Sequence, residues 1–184
     1  AHVPRVHAAH VSACGEPVQR RRVHGAASEG ALSRTNEPKS YRIAAAIRDA
    51  IAGVRSDRFP SSWLTTVHTC EVGVTLATAK AQRPLVFVEA VSADNTPQNH
   101  PLNDCLENFT ITMQSENEAD PELGIQQLMA DVKRALGLAG NLDGLVYSLD
   151  ITGWDKGTEL HETLGLGQGT ISVRASYEWA YTDP

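Results

Sequence analysis

The residues from Asp120 to Tyr181 constrain the fold more than any other part of this chain, because they join a helix with both ends signalled to two strands of regular alternation. Asp120 can accept hydrogen bonds from the free amides of a first helical turn, and Pro121 fits the first helical position, where a missing N–H costs nothing. Gly137 stands where a left-handed residue ends a helix. Between these signals Ile125, Leu128, Met129, Val132 and Leu136 recur at three- and four-residue spacing, so one stripe requires burial. Gln126, Gln127, Asp131, Lys133 and Arg134 fall mostly on the opposite, solvent-directed face. After the turn-rich stretch 140–144, Leu145, Tyr147, Leu149 and Ile151 alternate with Val146, Ser148, Asp150 and Thr152, as in a strand covered on one face. In the last strand Ile171, Val173, Ala175, Tyr177, Trp179 and Tyr181 share one face, and Ser172, Arg174, Ser176 and Glu178 share the other. A sheet with helices laid on it buries all these apolar faces together.

The chain has 184 residues, 41% of them hydrophobic, which suffices for one domain with a real core and leaves room for an appendage. Its net charge of -6 is unevenly spread. Residues 1–40 carry Arg5, Arg20, Arg21, Arg22, Arg34 and Lys39 against Glu16, Glu29 and Glu37, a balance of +3, which leaves -9 on residues 41–184. An acidic body is a poor grip for a phosphate backbone, whose binding depends on Lys and Arg. Residues 1–40, interrupted by Pro4, Pro17 and Pro38 and without apolar period, read as a basic, flexible N-terminal arm, and residues 41–184 as a single domain. Cys14, Cys70 and Cys105 form no CxxC pair and leave one thiol over, which fits a reducing compartment better than a disulfide framework. No apolar run is long enough to span a bilayer and none opens the chain as a signal peptide would, so the expected place of synthesis is the cytosol, without a membrane partner.

Along the domain, Ser40 is a candidate N-cap for a helix from Tyr41 to about Ala52, with Ile43, Ala44, Ile47, Ala50, Ile51 and Val54 as its apolar stripe and Gly53 as its stop. Phe59, Pro60 and Trp63 follow as a plug for one end of the core. From Val67 to Leu76, Cys70, Val72, Val74 and Leu76 alternate with polar residues, and Leu85–Val88 forms a continuous apolar run ended by Glu89, as in a central strand. Phe109, Ile111 and Met113 alternate in a further strand. The stretches Ser92–Asn103 and Asp155–Gln168 read as long polar loops, loosely ordered until neighbours contact them. The residues expected to meet in one cluster are Val86, Phe109, Ile111, Ile125, Leu128, Val132, Val173 and Tyr177.

The chemistry-bearing candidates are sparse. His2, His7, His10, Cys14 and His24 lack the paired short motifs of a structural zinc site, and the strand pair His68 and Cys70 lacks further ligands, so ordinary packing is the expectation for both. His161 between Glu159 and Glu162 invites acid–base or metal chemistry, but nothing around it fixes these side chains. A metal-dependent hydrolase using His68, His100 or His161 is therefore the remote alternative. Arg20, Arg21 and Arg22 are a low-specificity basic patch. No GxxxxGK[ST], GxSxG, HExxH or EF-hand pattern occurs. Gly165-Leu166-Gly167-Gln168-Gly169 precedes a strand and lacks the helix start that would hold an anion, so it reads as a flexible hairpin loop. No catalytic, cofactor-binding or metal residue is assigned.

The order of elements and several phrases, Tyr41–Ile47, Pro84–Glu89, Phe109–Met113, Leu128–Leu136 and Ile171–Glu178, resemble the tail terminator proteins of long-tailed bacteriophages over about residues 41–184. The resemblance implies an α+β fold with a mixed, mainly antiparallel β-sheet and two helices packed on one face. It also implies a structural, non-enzymatic virion protein of the phage tail or neck, assembled in the host cytoplasm. Its implied partners are copies of itself in a hexameric ring, the tail tube protein that the ring caps, a head completion or connector protein, and packaged DNA that passes through the lumen without specific binding. A head completion or connector protein is the alternative identity. An acidic lumen suits that passage, since it repels the phosphate backbone.

Overall fold

A computed structural model describes residues 37–56, 63–73, 81–97, 102–157 and 165–180, all within the compact unit Ser33–Pro184. The elements run α1 (Lys39–Ala52), β1 (Thr69–Val72), β2 (Leu85–Pro97), β3 (Leu102–Glu116), α2 (Pro121–Ala139), β4 (Ser148–Lys156) and β5 (Leu166–Ala180). One five-stranded sheet has the order β1-β2-β3-β5-β4. β1 runs parallel to β2 and every other pair is antiparallel. α1 packs against β1, β2 and α2, and α2 against β3, β5 and β4. This is the expected α+β fold, a mixed and mainly antiparallel sheet with both helices on one face.

α2 begins as its sequence signals: the Asp120 carboxylate accepts from the Leu123 amide at 2.9 Å, and Pro121 takes the first turn. It ends later than expected. Gly137 lies inside the helix, and Gly140, with φ of 55°, is the left-handed terminator whose amide reaches Leu136. Alanine-like propensity at the flanking residues carries the helix across Gly137, a cost of about 1 kcal/mol. α1 starts at Lys39, so Lys39 and Ser40 belong to the helix and not to the arm, and Ser40 makes no capping bond.

All eight expected core residues join one buried cluster, with Ile43, Ile47, Ile51 and Val54 of the α1 stripe completing it. Trp63 packs against this cluster and lies under the Arg134 guanidinium, while Phe59 and Pro60 lie outside the described residues. Asp131 departs from its expected place on the solvent face. It is buried, and its carboxylate accepts from the amides of Leu64 and Thr65 at 2.7 Å each and from the Thr65 hydroxyl at 2.9 Å. Those donors meet the requirement that a buried charge be hydrogen-bonded, and they tie the segment after α1 to α2.

Most of the first expected loop and the two ends of the second prove to be strand. β2 runs on through Ser92 to Pro97, with a register shift between Ala90 and Ser92, and pairs with β3 from Asn103 onward. Asp155 and Lys156 belong to β4, and Leu166–Gln168 open β5. Residues 98–101 and 158–164 lie outside the described residues, as does most of the second half of the strand expected over Val67–Leu76.

The glycine run that reads as a flexible loop is instead the start of β5, seated under α2. A Cβ at Gly167 would stand 2.5 Å from the Pro121 carbonyl oxygen, and one at Gly165 2.7 Å from the Glu118 Cα. A side chain at Gly167 would push the first turn of α2 off the sheet, and one at Gly165 would displace the connector that leads into it, which is why glycine stands at both places.

Candidate functional site: the open face of the sheet

Strand register assigns every side chain to one of two faces. Phe109, Ile111, Met113, Ile171, Val173 and Ala175 point to the helices and are buried. The opposite face carries no helix. Across β3 and β5 it carries hydroxyls and amides, with Thr110, Thr112, Asn108, Ser172 and Ser176 in adjacent positions, while β2 places Leu85 and Phe87 on it at the β1 side. It is also acidic: β1 contributes Glu71, β2 Glu89 and Asp94, β3 Asp104 and Glu116, β4 Asp150 and Asp155, and β5 Glu178. Arg174, whose Nε donates to Asn108 Oδ1 at 3.2 Å, is the one basic strand residue on this face among the described residues. Asp104 and Glu178 are direct cross-strand partners, an arrangement that like charges disfavour. Beside them a shallow depression of about 370 Å³ is lined by Asp104, Leu106, Tyr147 and Ser176. The Tyr147 phenol is held above its ordinary pKa by its hydrogen bond with Glu178.

Under the helices, Glu107 is the one buried glutamate among the described residues. Its carboxylate accepts from the Tyr177 hydroxyl at 2.8 Å and from Ser40, the residue expected to cap α1. Burial first, and hydrogen bonds with Cys105 and Glu107 next, push the Tyr177 phenol well above its usual range, so it remains a donor. Lys39 reaches the Glu178 carbonyl at 2.5 Å. This network fastens the start of α1 to β3 and β5 around a space of about 170 Å³. Sequence reasoning missed it because a glutamate two places before the apolar run Phe109, Ile111 and Met113 reads as the end of the buried row and not as a member of it.

At the outer edge, Trp154 is 64% exposed and carries the Lys133 ammonium 3.6 Å from its ring centre. Lys156 pairs with Glu122 at 2.6 Å across the same groove of about 390 Å³ between β4 and α2.

The candidate chemistry-bearing residues do not converge. His68 lies exposed ahead of β1, whereas Cys70 faces α1, its thiol 3.5 Å from the Arg48 carbonyl and pushed up to about 12 by burial. A thiol so held stays protonated and is a poor ligand or nucleophile. His100, Glu159, His161 and Glu162 lie outside the described residues, as do the histidines of the arm, Cys14 and Arg20–Arg22. Among the described residues no group of three or more His, Cys, Asp or Glu side chains is arranged to hold a metal ion. No helix among them is long and apolar enough to cross a membrane.

No protein-family model and no curated protein matches the chain. Among solved structures, a chain from one described as the virion of a native gene transfer agent (GTA) particle is similar, with 14% identity, 74% of this chain and 95% of that chain covered, and a TM-score of 0.49.

Proposed function

We propose that this chain is a structural subunit of a phage tail that closes with copies of itself into a ring, a hexamer by its resemblance to tail terminators, which caps the tail tube and joins it to the head. The observation that carries the reading is the open face: an acidic sheet surface rich in hydroxyls across β3 and β5, eight strand carboxylates against one guanidinium among the described residues, with the helices gathered on the other side. Facing the lumen, such a surface repels the phosphate backbone and lets packaged DNA pass without holding it. The helices then form the outside of the ring. The expected order of helix, strands, helix and strands, on which the resemblance to tail terminators rests, agrees with this arrangement. In this reading the subunit is not an enzyme, binds no cofactor, and works through the tail tube protein, a head completion or connector protein and its own copies. The basic residues ahead of α1 are a separate arm on the domain that begins with that helix.

Light scattering on the purified chain, with electron microscopy of particles labelled for it, tests the reading. Rings in solution and label at the head-proximal end of the tail tube are the expected result. A chain that is monomeric at all concentrations and missing from particles sinks it, and label on the portal side of the neck assigns it as a connector instead.

A further inference from the structure

If the open face lines a lumen and the helices lie outside, the sheet has only its two edges left to meet its neighbours. On one side β1 covers β2 over Leu85–Val88 alone, with the Gly73 amide bonding to the Val88 carbonyl at 2.8 Å. Among the described residues no strand pairs with Glu89–Pro97 on that side, and Glu89 to Asn95 are all exposed. On the other side β4, nine residues long, is the outer strand, and Tyr147, Ile151 and Trp154 along it are exposed. A free backbone edge with large apolar side chains beside it is a template for another strand. Resting on the ring reading, we propose that the outer edge of β4 in one copy pairs with Glu89–Pro97 of β2 in the next, so that the sheets run on into one wall.

Topology sets the sense of that pairing. β2 is antiparallel to β3, β3 to β5 and β5 to β4, so β4 runs opposite to β2. Rotation about a ring axis keeps the sense of every strand along that axis, and β4 therefore meets the neighbouring β2 antiparallel. The Lys156 end of β4 then lies at the Glu89 end of β2. Its Ser148 end lies towards Pro97, which has no N–H to give and ends the pairing. Because the two edges differ, the contact is heterologous and closes by rotation, as a ring requires.

A lysine on either edge blocks such pairing without touching the core. Val91→Lys and Ile151→Lys should each keep the circular dichroism and thermal transition of the parent monomer and form no ring in sedimentation velocity. Mixed together they should form a one-to-one dimer and nothing larger, since each retains one intact edge and only one pairing is possible. In the parent ring the amides of Glu89–Pro97 should exchange far more slowly than in dilute monomer. Parent rings that form equally well with either lysine, or that leave these amides unprotected, refute the edge assignment while leaving the ring itself standing. A parent chain that never assembles refutes both.

Discussion

Asp131 offers the sharpest test of how this fold is held. Its carboxylate is 2% exposed and one oxygen serves three donors, two of them backbone amides of the segment between α1 and β1. Replacing it by alanine removes a bond set to a charged acceptor and strands the Leu64 and Thr65 amides. A stranded buried donor costs about 1–3 kcal/mol. Leu64 is more than half exposed, so water replaces part of its bond, and the loss should be about 2–4 kcal/mol in urea unfolding. Asparagine keeps an acceptor oxygen in the same place, and Asp131→Asn should lose only about 1 kcal/mol. Hydrogen exchange gives an independent reading: in Asp131→Ala the Leu64 and Thr65 amides should lose protection while the amides of β3 keep theirs. If both variants unfold within about 0.5 kcal/mol of the parent, the carboxylate is not a tie between α1's exit and α2, and the reasoning fails.

Leu128→Ala, at a fully buried position in the α2 stripe, should cost about 2–5 kcal/mol, and a loss below about 1 kcal/mol in the same unfolding assay would place the stripe outside the core. Gly167→Ala should destabilise by about 2–3 kcal/mol through the close Pro121 carbonyl, whereas Gly153→Ala, with open space around its Cβ, should be near neutral; equal effects in thermal melts would contradict the tight seat of α2. The Cys70 thiol, raised in the fold from 9.0 to about 12, contributes stability that is complete below about pH 9 and is lost as pH rises from there towards 12, because the unfolded chain gives up its proton first. Unfolding measured between pH 8 and 11 should therefore slope downward in the parent and less so in Cys70→Ala; identical slopes would show that the thiol is not held protonated by burial.

The elements with apolar periodicity were legible in the sequence, and those built from other materials were not. α2, the Phe109–Met113 part of β3 and the Ile171–Tyr177 part of β5 each put large side chains on the helix-facing side, and each lies where its pattern indicates. The far half of β2 is exposed on both faces beyond Ala90, so nothing in it alternates and it reads as loop. β5 opens with glycines where its buried side chains would be, which mimics a turn. Asp131 and Glu107 are polar residues on buried faces, and single-residue polarity points the wrong way when a partner several dozen residues distant satisfies the group. The acidic balance of the body was visible in composition, but its gathering on one face depends on register and could only come from strand pairing. The chemistry-bearing residues singled out in sequence stay apart where they are described, His68 in solvent and Cys70 against α1.

The seat of α2 on Gly165, Gly167 and Gly169 makes that stretch informative by what it leaves out. At Gly165 and Gly167 the nearest neighbours are main-chain atoms of Glu118 and Pro121, so the entry to α2 is positioned by the thickness of the main chain, whereas Gly169 sits against the Met129 and Ile125 side chains. Variation along the stretch should follow a period of two: Leu166, Gln168 and Thr170, turned to the other face and half-buried, can change in chemistry and size, while Gly165 and Gly167 can change in neither and Gly169 only if the Met129 side chain moves. A set of distant relatives sharing only that rhythm would share the placement of the helix, and through it the depth of the core, with almost no residue in common.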